Sequence, residues 1–214
     1  QVSDGENTDS QDLTIHISDI NEFLPEITSD GGGESFNISF AENDSSAVTT
    51  VTSTDGDGTS TATYSISGDD ATVFTIDPTS GELTFNSSPD FENPTDTDAN
   101  NEYLVTVEAS DGTNIDSQNL TITITDLNDE PPIITSNDGG DTATVNYDEN
   151  ETTPVTTVTA TDGDGDAITY TISGDDVTLF AIDGNTGELT FNSIPDFETP
   201  GDADANNEYL VMVQ

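Results

Sequence analysis

Apolar and polar residues alternate with a period of two along much of this chain. In Tyr103-Leu104-Val105-Thr106-Val107 and in Leu120-Thr121-Ile122-Thr123-Ile124, every second side chain falls on one face of an extended strand. No stretch carries a helical period. The apolar residues are mostly Val, Ile, Leu, Phe and Tyr, with abundant Thr, which suit a pleated, half-buried surface. Gly-, Asp- and Asn-rich segments punctuate these runs as turns. The pattern predicts strands over 34–40, 47–54, 61–67, 73–77, 81–86, 102–110 and 117–125.

The chain then repeats itself. Asp55-Gly56-Asp57-Gly58 recurs as Asp162-Gly163-Asp164-Gly165, and Asp12-Leu13-Thr14-Ile15 as Asn119-Leu120-Thr121-Ile122, both at a spacing of 107. Gly81-Glu82-Leu83-Thr84-Phe85-Asn86-Ser87 recurs without change from Gly187 to Ser193, at 106. A period of this length suits one β-sandwich domain rather than a solenoid unit. The predicted organisation is the last strand and linker of an upstream repeat over 1–21, a complete repeat over 22–127, and a second repeat over 128–214 lacking its last strand. Cut out of phase in this way, the chain reads as an excerpt of a tandem array. The alternative is a filament in which one chain's head completes its neighbour's tail by strand addition.

Charge changes the picture. The chain has 45 Asp and Glu residues, no Lys or Arg and one His, a formal charge of −45 on 214 residues. Self-repulsion of that size opposes a compact state. Hard divalent cations such as Ca²⁺, which select oxygen ligands, are the obvious partners for these carboxylates. Binding to phosphate backbones, and so to nucleic acid, is excluded for want of basic residues. There is no apolar run long enough for membrane insertion, and no Cys for a disulfide or thiolate site. His16 alternates with Ile15 and Ile17 and has no neighbouring nucleophile, so no catalytic set emerges and no enzyme is expected.

The acidic motifs carry a family resemblance. Asp126-Leu127-Asn128-Asp129-Glu130-Pro131-Pro132 resembles the D-x-N-D-N-x-P linker of cadherin domains. Ala41-Glu42-Asn43 resembles the glutamate motif near a cadherin domain's start, and Asp90-Phe91-Glu92 the D-R-E or D-Y-E motif. Asp55-Gly56-Asp57 and Ala109-Ser110-Asp111-Gly112 resemble D-x-D and A-x-D-x-G, and the stretch from Phe74 to Gly81 is similar to F-x-I-D-x-x-T-G. The ordered set spans the whole chain, and the insert after Glu92 looks like that of bacterial cadherin-like repeats in large surface or adhesin-type proteins. The resemblance implies an all-β protein of tandem seven-stranded Greek-key β-sandwiches, cadherin- or Ig-like, arranged end to end.

It also implies Ca²⁺ between consecutive domains. At the complete junction the implied ligands are Glu42, Asp90 and Glu92, then Asp126, Asn128 and Asp129 of the linker, then Asp162 and Asp164. The head junction keeps Asp19, Asn21, Asp55, Asp57 and Asp111; the tail keeps Glu149, Asp196 and Glu198. Phe23 and Glu130 stand where the family has Asn, and Glu22 where it has Asp, so the head junction is expected to hold fewer or weaker ions. The insert Asp96-Thr97-Asp98-Ala99-Asn100 is a further candidate, although it lacks the Gly and the final Glu of an EF-hand loop. The implied function is a Ca²⁺-stiffened rod, stalk or filament of an extracellular, secreted or cell-surface protein. Its partners would be neighbouring repeats head to tail, with a cell-surface protein or polysaccharide beyond them. A carbohydrate-binding module is the main alternative, disfavoured by the absence of Trp; acidity for halophilic solubility alone is a third reading.

Overall fold

A computed structural model describes residues 1–18, 20–57 and 61–214. Its contacts divide it into two compact units, residues 1–125 and 126–214. Among the described residues the regular structure is strand apart from four single-turn 3-10 segments, and no helix is long and apolar enough to cross a membrane.

The first unit carries β1 (Val2–Ser3), β2 (Thr8–Asp9), β3 (Glu26–Ile27), β4 (Ser35–Ala41), β5 (Thr49–Thr50), β6 (Ser53–Thr54), β7 (Thr63–Ser67), β8 (Phe74–Ile76), β9 (Glu82–Phe85), β10 (Glu102–Ser110) and β11 (Ile115–Thr125). One sheet runs β4-β11-β10-β7 and the facing one β5-β9-β8, with β3 paired to β6. The alternation read from sequence is the alternation of burial: Tyr103, Val105, Val107 and Ala109 of β10 and Leu120, Ile122 and Ile124 of β11 face the core. Phe74, Phe85 and Tyr103 meet there, the Phe74 and Phe85 centroids 4.2 Å apart and Tyr103 edge-on to Phe85 at 5.1 Å.

Two differences from the predicted strands have plain causes. The run 47–54 is two short strands, because the chain changes sheet at its middle. β5 pairs with β9 and β6 with β3, and between them Val51 N–H donates to Gly81 O at 2.8 Å. Strand β3 was not anticipated, since two residues cannot show a period; it is defined only by its partner β6.

The second unit carries β12 (Ile133–Ile134), β13 (Thr156–Thr157), β14 (Ala160–Thr161), β15 (Ile172–Ser173), β16 (Phe180–Ile182), β17 (Glu188–Phe191) and β18 (Met212–Val213). The β13-β17-β16 sheet reproduces β5-β9-β8. The other sheet does not form as the repeat predicts. Residues 142–148, equivalent to β4, are not a strand, and the nine-residue β10 is matched by the two residues of β18. A strand persists only while hydrogen-bonded neighbours hold it. The equivalent of β11, which supplies those bonds to both flanks in the first unit, has no counterpart within residues 126–214. Tyr209 is consequently half-buried where Tyr103 is fully enclosed.

Candidate metal centre

The acidic motifs sit where strands end, and each unit organises them in the same two ways. At the end of β4, the Glu42 side chain turns inward until it is 1% exposed. Its Oε2 accepts the Phe91 N–H at 2.8 Å, which fixes Asp90-Phe91-Glu92 beside it. Carboxylate oxygens of Glu42 and Glu92 then lie within 4.8 Å of one another, while Asp90 Oδ1 caps the turn by accepting the Asn93 N–H at 3.0 Å. The second unit repeats the construction. Glu149 Oε2 accepts Phe197 N–H at 2.9 Å, Asp196 Oδ1 accepts the N–H groups of Glu198 and Thr199, and Glu149, Asp196 and Glu198 each bring a carboxylate oxygen within 4.8 Å of the others. β11 ends at Thr125, whose register partner is Ala41, the residue before Glu42.

The second arrangement gathers the D-G-D turns. Asp55 Oδ1 accepts the Asp57 N–H, and Asp57 Oδ2 accepts the Phe23 N–H at 3.0 Å. In the second unit Asp164 Oδ2 accepts the Glu130 N–H, also at 3.0 Å. Phe23 and Glu130 therefore take part through their backbone, and their side chains lie over Gly56 and Gly163, where an added Cβ would stand only 2.8 and 2.7 Å away. Asp111 Oδ1 accepts the N–H groups of Thr113 and Asn114. The Asn114 bond is the main reason its carboxyl stays below the usual range, partly offset by desolvation. The Asn21 amide completes the group, 3.1 Å from Asp111 Oδ2 and 3.0 Å from Asp57 Oδ2. With its nitrogen turned there it donates to both carboxylates. Carboxylate oxygens of Asp129 and Asp164 come within 4.8 Å. Asp162 Oδ1 accepts the Asp166 N–H at 3.2 Å, and Asp166 takes the Asn128 amide. Asp19 lies outside the described residues, and Asp126 is exposed at the start of the second unit.

Sequence reasoning missed Asn114 and Asp166, which no short motif marks. It also missed Asp70, which is buried and structural. Burial raises its pKa, but the Leu104 and Thr97 N–H groups and the Thr97 hydroxyl, each at 2.8 Å, outweigh this and hold it below the usual range. Asp176, buried likewise, accepts the Leu210 and Ala203 N–H groups. In the insert, Asp96 Oδ2 accepts Asn100 N–H at 2.8 Å, and the Asn100 amide holds Asp98. The hydrogen bond with Asp96, followed by desolvation and its charge, raises the Asp98 carboxyl. The loop is thus held by its own hydrogen bonds and by those of Thr97 to Asp70.

These residues fit a hard cation. All donors are oxygens, and the chain holds no Lys or Arg to neutralise them. One acceptor waits unused: Asp164 Oδ1 is buried with no hydrogen-bond partner among the described residues, beside Asp129.

The family model for the Cadherin domain matches residues 36–125. Mouse Protocadherin Fat 4 is 31% identical over 140 residues, 63% of this chain and 3% of that protein. Mouse Cadherin EGF LAG seven-pass G-type receptor 2 is 32% identical over 195 residues, 89% of this chain and 6% of that protein. This chain thus spans only a few hundredths of the length of these relatives, which are animal proteins. The crystal structure of Drosophila N-cadherin EC1-4 superposes with a TM-score of 0.67 at 27% identity, over 89% of this chain and 45% of that one. By sequence and by fold, residues 36–125 of this chain are a cadherin domain.

Proposed function

We propose that this chain is a Ca²⁺-binding extracellular module whose linker-associated carboxylates, once neutralised, stiffen a rod, stalk or filament of successive repeats. In this reading residues 22–127 are one repeat, and Glu42, Asp90, Glu92, Asp126, Asn128, Asp129, Asp162 and Asp164 serve one junction. Asn21, Asp55, Asp57 and Asp111, with Asp19, serve the junction before it, and Glu149, Asp196 and Glu198 the one after. The observation that carries it is the triad of Glu149, Asp196 and Glu198, three carboxylates within 4.8 Å in a chain with no basic side chain. Bound Ca²⁺ supplies a double positive charge that takes six to eight oxygens. The protein's part is to hold those oxygens together: Glu42 and Glu149 are fixed by backbone N–H groups, and Asp57, Asp111 and Asp164 by Asx-type turns and linker N–H groups. Weak affinities of about 10⁻⁴–10⁻³ M, usual for extracellular modules, match a location outside the cell. Adhesion or spacing, rather than catalysis, is the activity that cadherin membership supports. A polysaccharide-binding role has less support, because Phe74, Phe85 and Tyr103 are spent in the core and Trp is absent.

Glu42→Gln tests the reading, because its two effects have opposite signs. The amide keeps an acceptor for Phe91 N–H but removes a charge that is 1% exposed. In excess chelator the variant melts at or above the wild-type temperature, since a buried charge is costly. In Ca²⁺ it melts below wild type, losing up to about 2.7 kcal/mol where the ion stands near 100 times its Kd. Shifts of the same sign and size in both media would remove Glu42 from the site.

A further inference from the structure

We propose that each unit binds a hard divalent cation of the Ca²⁺ class inside its own insert loop, through Asp96, Asp98 and Asn100 in the first unit and Asp202, Asp204 and Asn206 in the second. None of these residues belongs to the junction set.

An unsatisfied buried oxygen points to the ligand. Asp202 is 7% exposed, and its Oδ1 has no hydrogen-bond partner among the described residues. Its Oδ2 accepts the Asn206 N–H at 2.8 Å, so the carboxylate is held in place while Oδ1 stays unmatched. Asp96 is buried to the same degree, and its Oδ1 has the Asn101 N–H at 3.4 Å, beyond the usual range for such a bond. A buried carboxylate is costly unless it is paired or bound to a metal. No Lys or Arg exists in the chain to pair with it. What stands beside each is a second carboxylate: Asp98 lies within hydrogen-bond reach of Asp96, and Asp204 of Asp202. Two carboxylates in contact repel unless a cation or a proton lies between them. The contact is the same in both loops, although Thr97 of one is Ala203 in the other.

Spacing and turn give the class of cation. Carboxylate, carboxylate and amide at the first, third and fifth positions are the first side-chain ligands of a D-x-D-x-[DN]-G calcium loop. The glycine of that loop provides a sharp turn. Here the sixth positions are Asn101 and Asn207, with φ of +64° and +65°. Asn tolerates the left-handed region better than other residues with a side chain, so the loop departs from the pattern in residue type but not in backbone. Asn100 Oδ1 accepts the Glu102 N–H at 2.7 Å and Asn206 Oδ1 the Glu208 N–H at 2.6 Å, each keeping a second lone pair for an ion. The twelfth positions are Val107 and Val213, so backbone carbonyls and water complete the shell in place of a glutamate.

The loop is also tied to the junction motif. The Asn101 amide donates to the Phe91 carbonyl at 2.8 Å, and the Phe91 N–H donates to Glu42. Asn207, Phe197 and Glu149 repeat the chain of contacts. An ion in the loop therefore braces the turn carrying Asp90 and Glu92 from within the unit.

Two measurements on the full chain test the site. Equilibrium dialysis against Ca²⁺, in NaCl near physiological ionic strength, counts bound ions. Amide hydrogen exchange read by mass spectrometry places them. The test chain carries Asp98→Asn with Asp204→Asn, both exposed positions outside the core. The control carries Asp69→Asn with Asp175→Asn, which removes the same charge from exposed neighbours of Asp70 and Asp176. The test chain should bind one ion fewer for each loop, and the control as many as wild type. Ca²⁺ should slow exchange of the 97–101 and 203–207 amides at least tenfold in wild type and control, but not in the test chain. In chelator the test chain should melt no lower than wild type, which verifies its fold. Equal ion counts in all three chains, an equal loss in the control, or loop exchange indifferent to Ca²⁺ overturns the proposal. A Glu42→Gln chain keeps the loop protection, so the loop and junction readings fail separately.

Discussion

Removing Ca²⁺ is expected to lower the unfolding temperature of this protein by about 20 °C, an effect that matched ionic strength of NaCl does not restore. The argument begins with charge. A net −45 with no basic residue leaves each carboxylate cluster repelling itself. A pair of charges 4 Å apart costs about 1 kcal/mol in bulk water and about 4 at an effective dielectric constant of 20. Three carboxylates within 4.8 Å at Glu149, Asp196 and Glu198 lie in that regime. Any ion that binds only the folded arrangement returns this cost and adds linkage stabilisation. At 5–10 mM Ca²⁺, near 100 times a Kd of about 10⁻⁴ M, each independent site contributes about 2.7 kcal/mol. Two sites amount to roughly 5 kcal/mol, and each kcal/mol moves the midpoint of a domain of this size by about 4–8 °C. Salt near 0.1 M screens charges more than about 10 Å apart and leaves close clusters nearly untouched, which separates binding from screening. Circular dichroism melts in Ca²⁺, in excess chelator and in chelator with NaCl provide the measurement, and small-angle scattering should show a distribution of maximum dimensions that broadens on chelation. Identical melts in Ca²⁺ and chelator would make the clusters ordinary surface charge.

Gly81→Ala is the substitution expected to cost most, because this turn glycine is buried against its neighbour. Gly81 has φ of +75°, and a Cβ there would stand 2.1 Å from the Val51 carbonyl oxygen. That carbonyl cannot retreat cheaply, because Val51 is fully buried and its N–H is bonded to Gly81 O at 2.8 Å. Asp77 fixes the turn from the other side by accepting the Thr79 and Ser80 N–H groups. Left-handed strain and the clash together cost on the order of 3–5 kcal/mol. Gly112→Ala is the control, since its φ is +94° but nothing lies within 4 Å of the added carbon; it carries the strain alone, about 1 kcal/mol. Calorimetry in Ca²⁺ compares the two. Equal shifts would mean that the close approach to Val51 carries no weight. The same geometry recurs at Gly187, with φ of +71° and 2.1 Å to Val158 O, which accounts for the glycine that opens the unchanged Gly-Glu-Leu-Thr-Phe of both repeats.

Much of the candidate site could be read from the chain because turn-bound carboxylates are local. Asp55-Gly56-Asp57 and Asp90-Phe91-Glu92 declare themselves within three residues, and in the structure Asp55 accepts the Asp57 N–H and Asp90 the Asn93 N–H. Asn114 and Asp166 could not be read. Each acts on residues far away in sequence, Asn114 on the Phe23 carbonyl at 2.8 Å and Asp166 on the Asn128 amide. Nor could the backbone part of Phe23 be read: its ring cannot ligate, but its N–H donates to Asp57 as the Glu130 N–H donates to Asp164 in the second unit.

The sequence by itself determined the all-β class, the repeat, the core-facing residues of β10 and β11 and the acidic character. All of these follow from side-chain period, composition and charge, which are properties of the chain before it folds. Only the tertiary structure decided which predicted strands exist. β10 spans nine residues because β7 and β11 flank it, whereas the run over 47–54 breaks into β5 and β6 because its halves pair with β9 and with β3. Strand propensity is carried by the residues, but a strand is completed by hydrogen bonds from a neighbour, and the neighbour is a matter of topology.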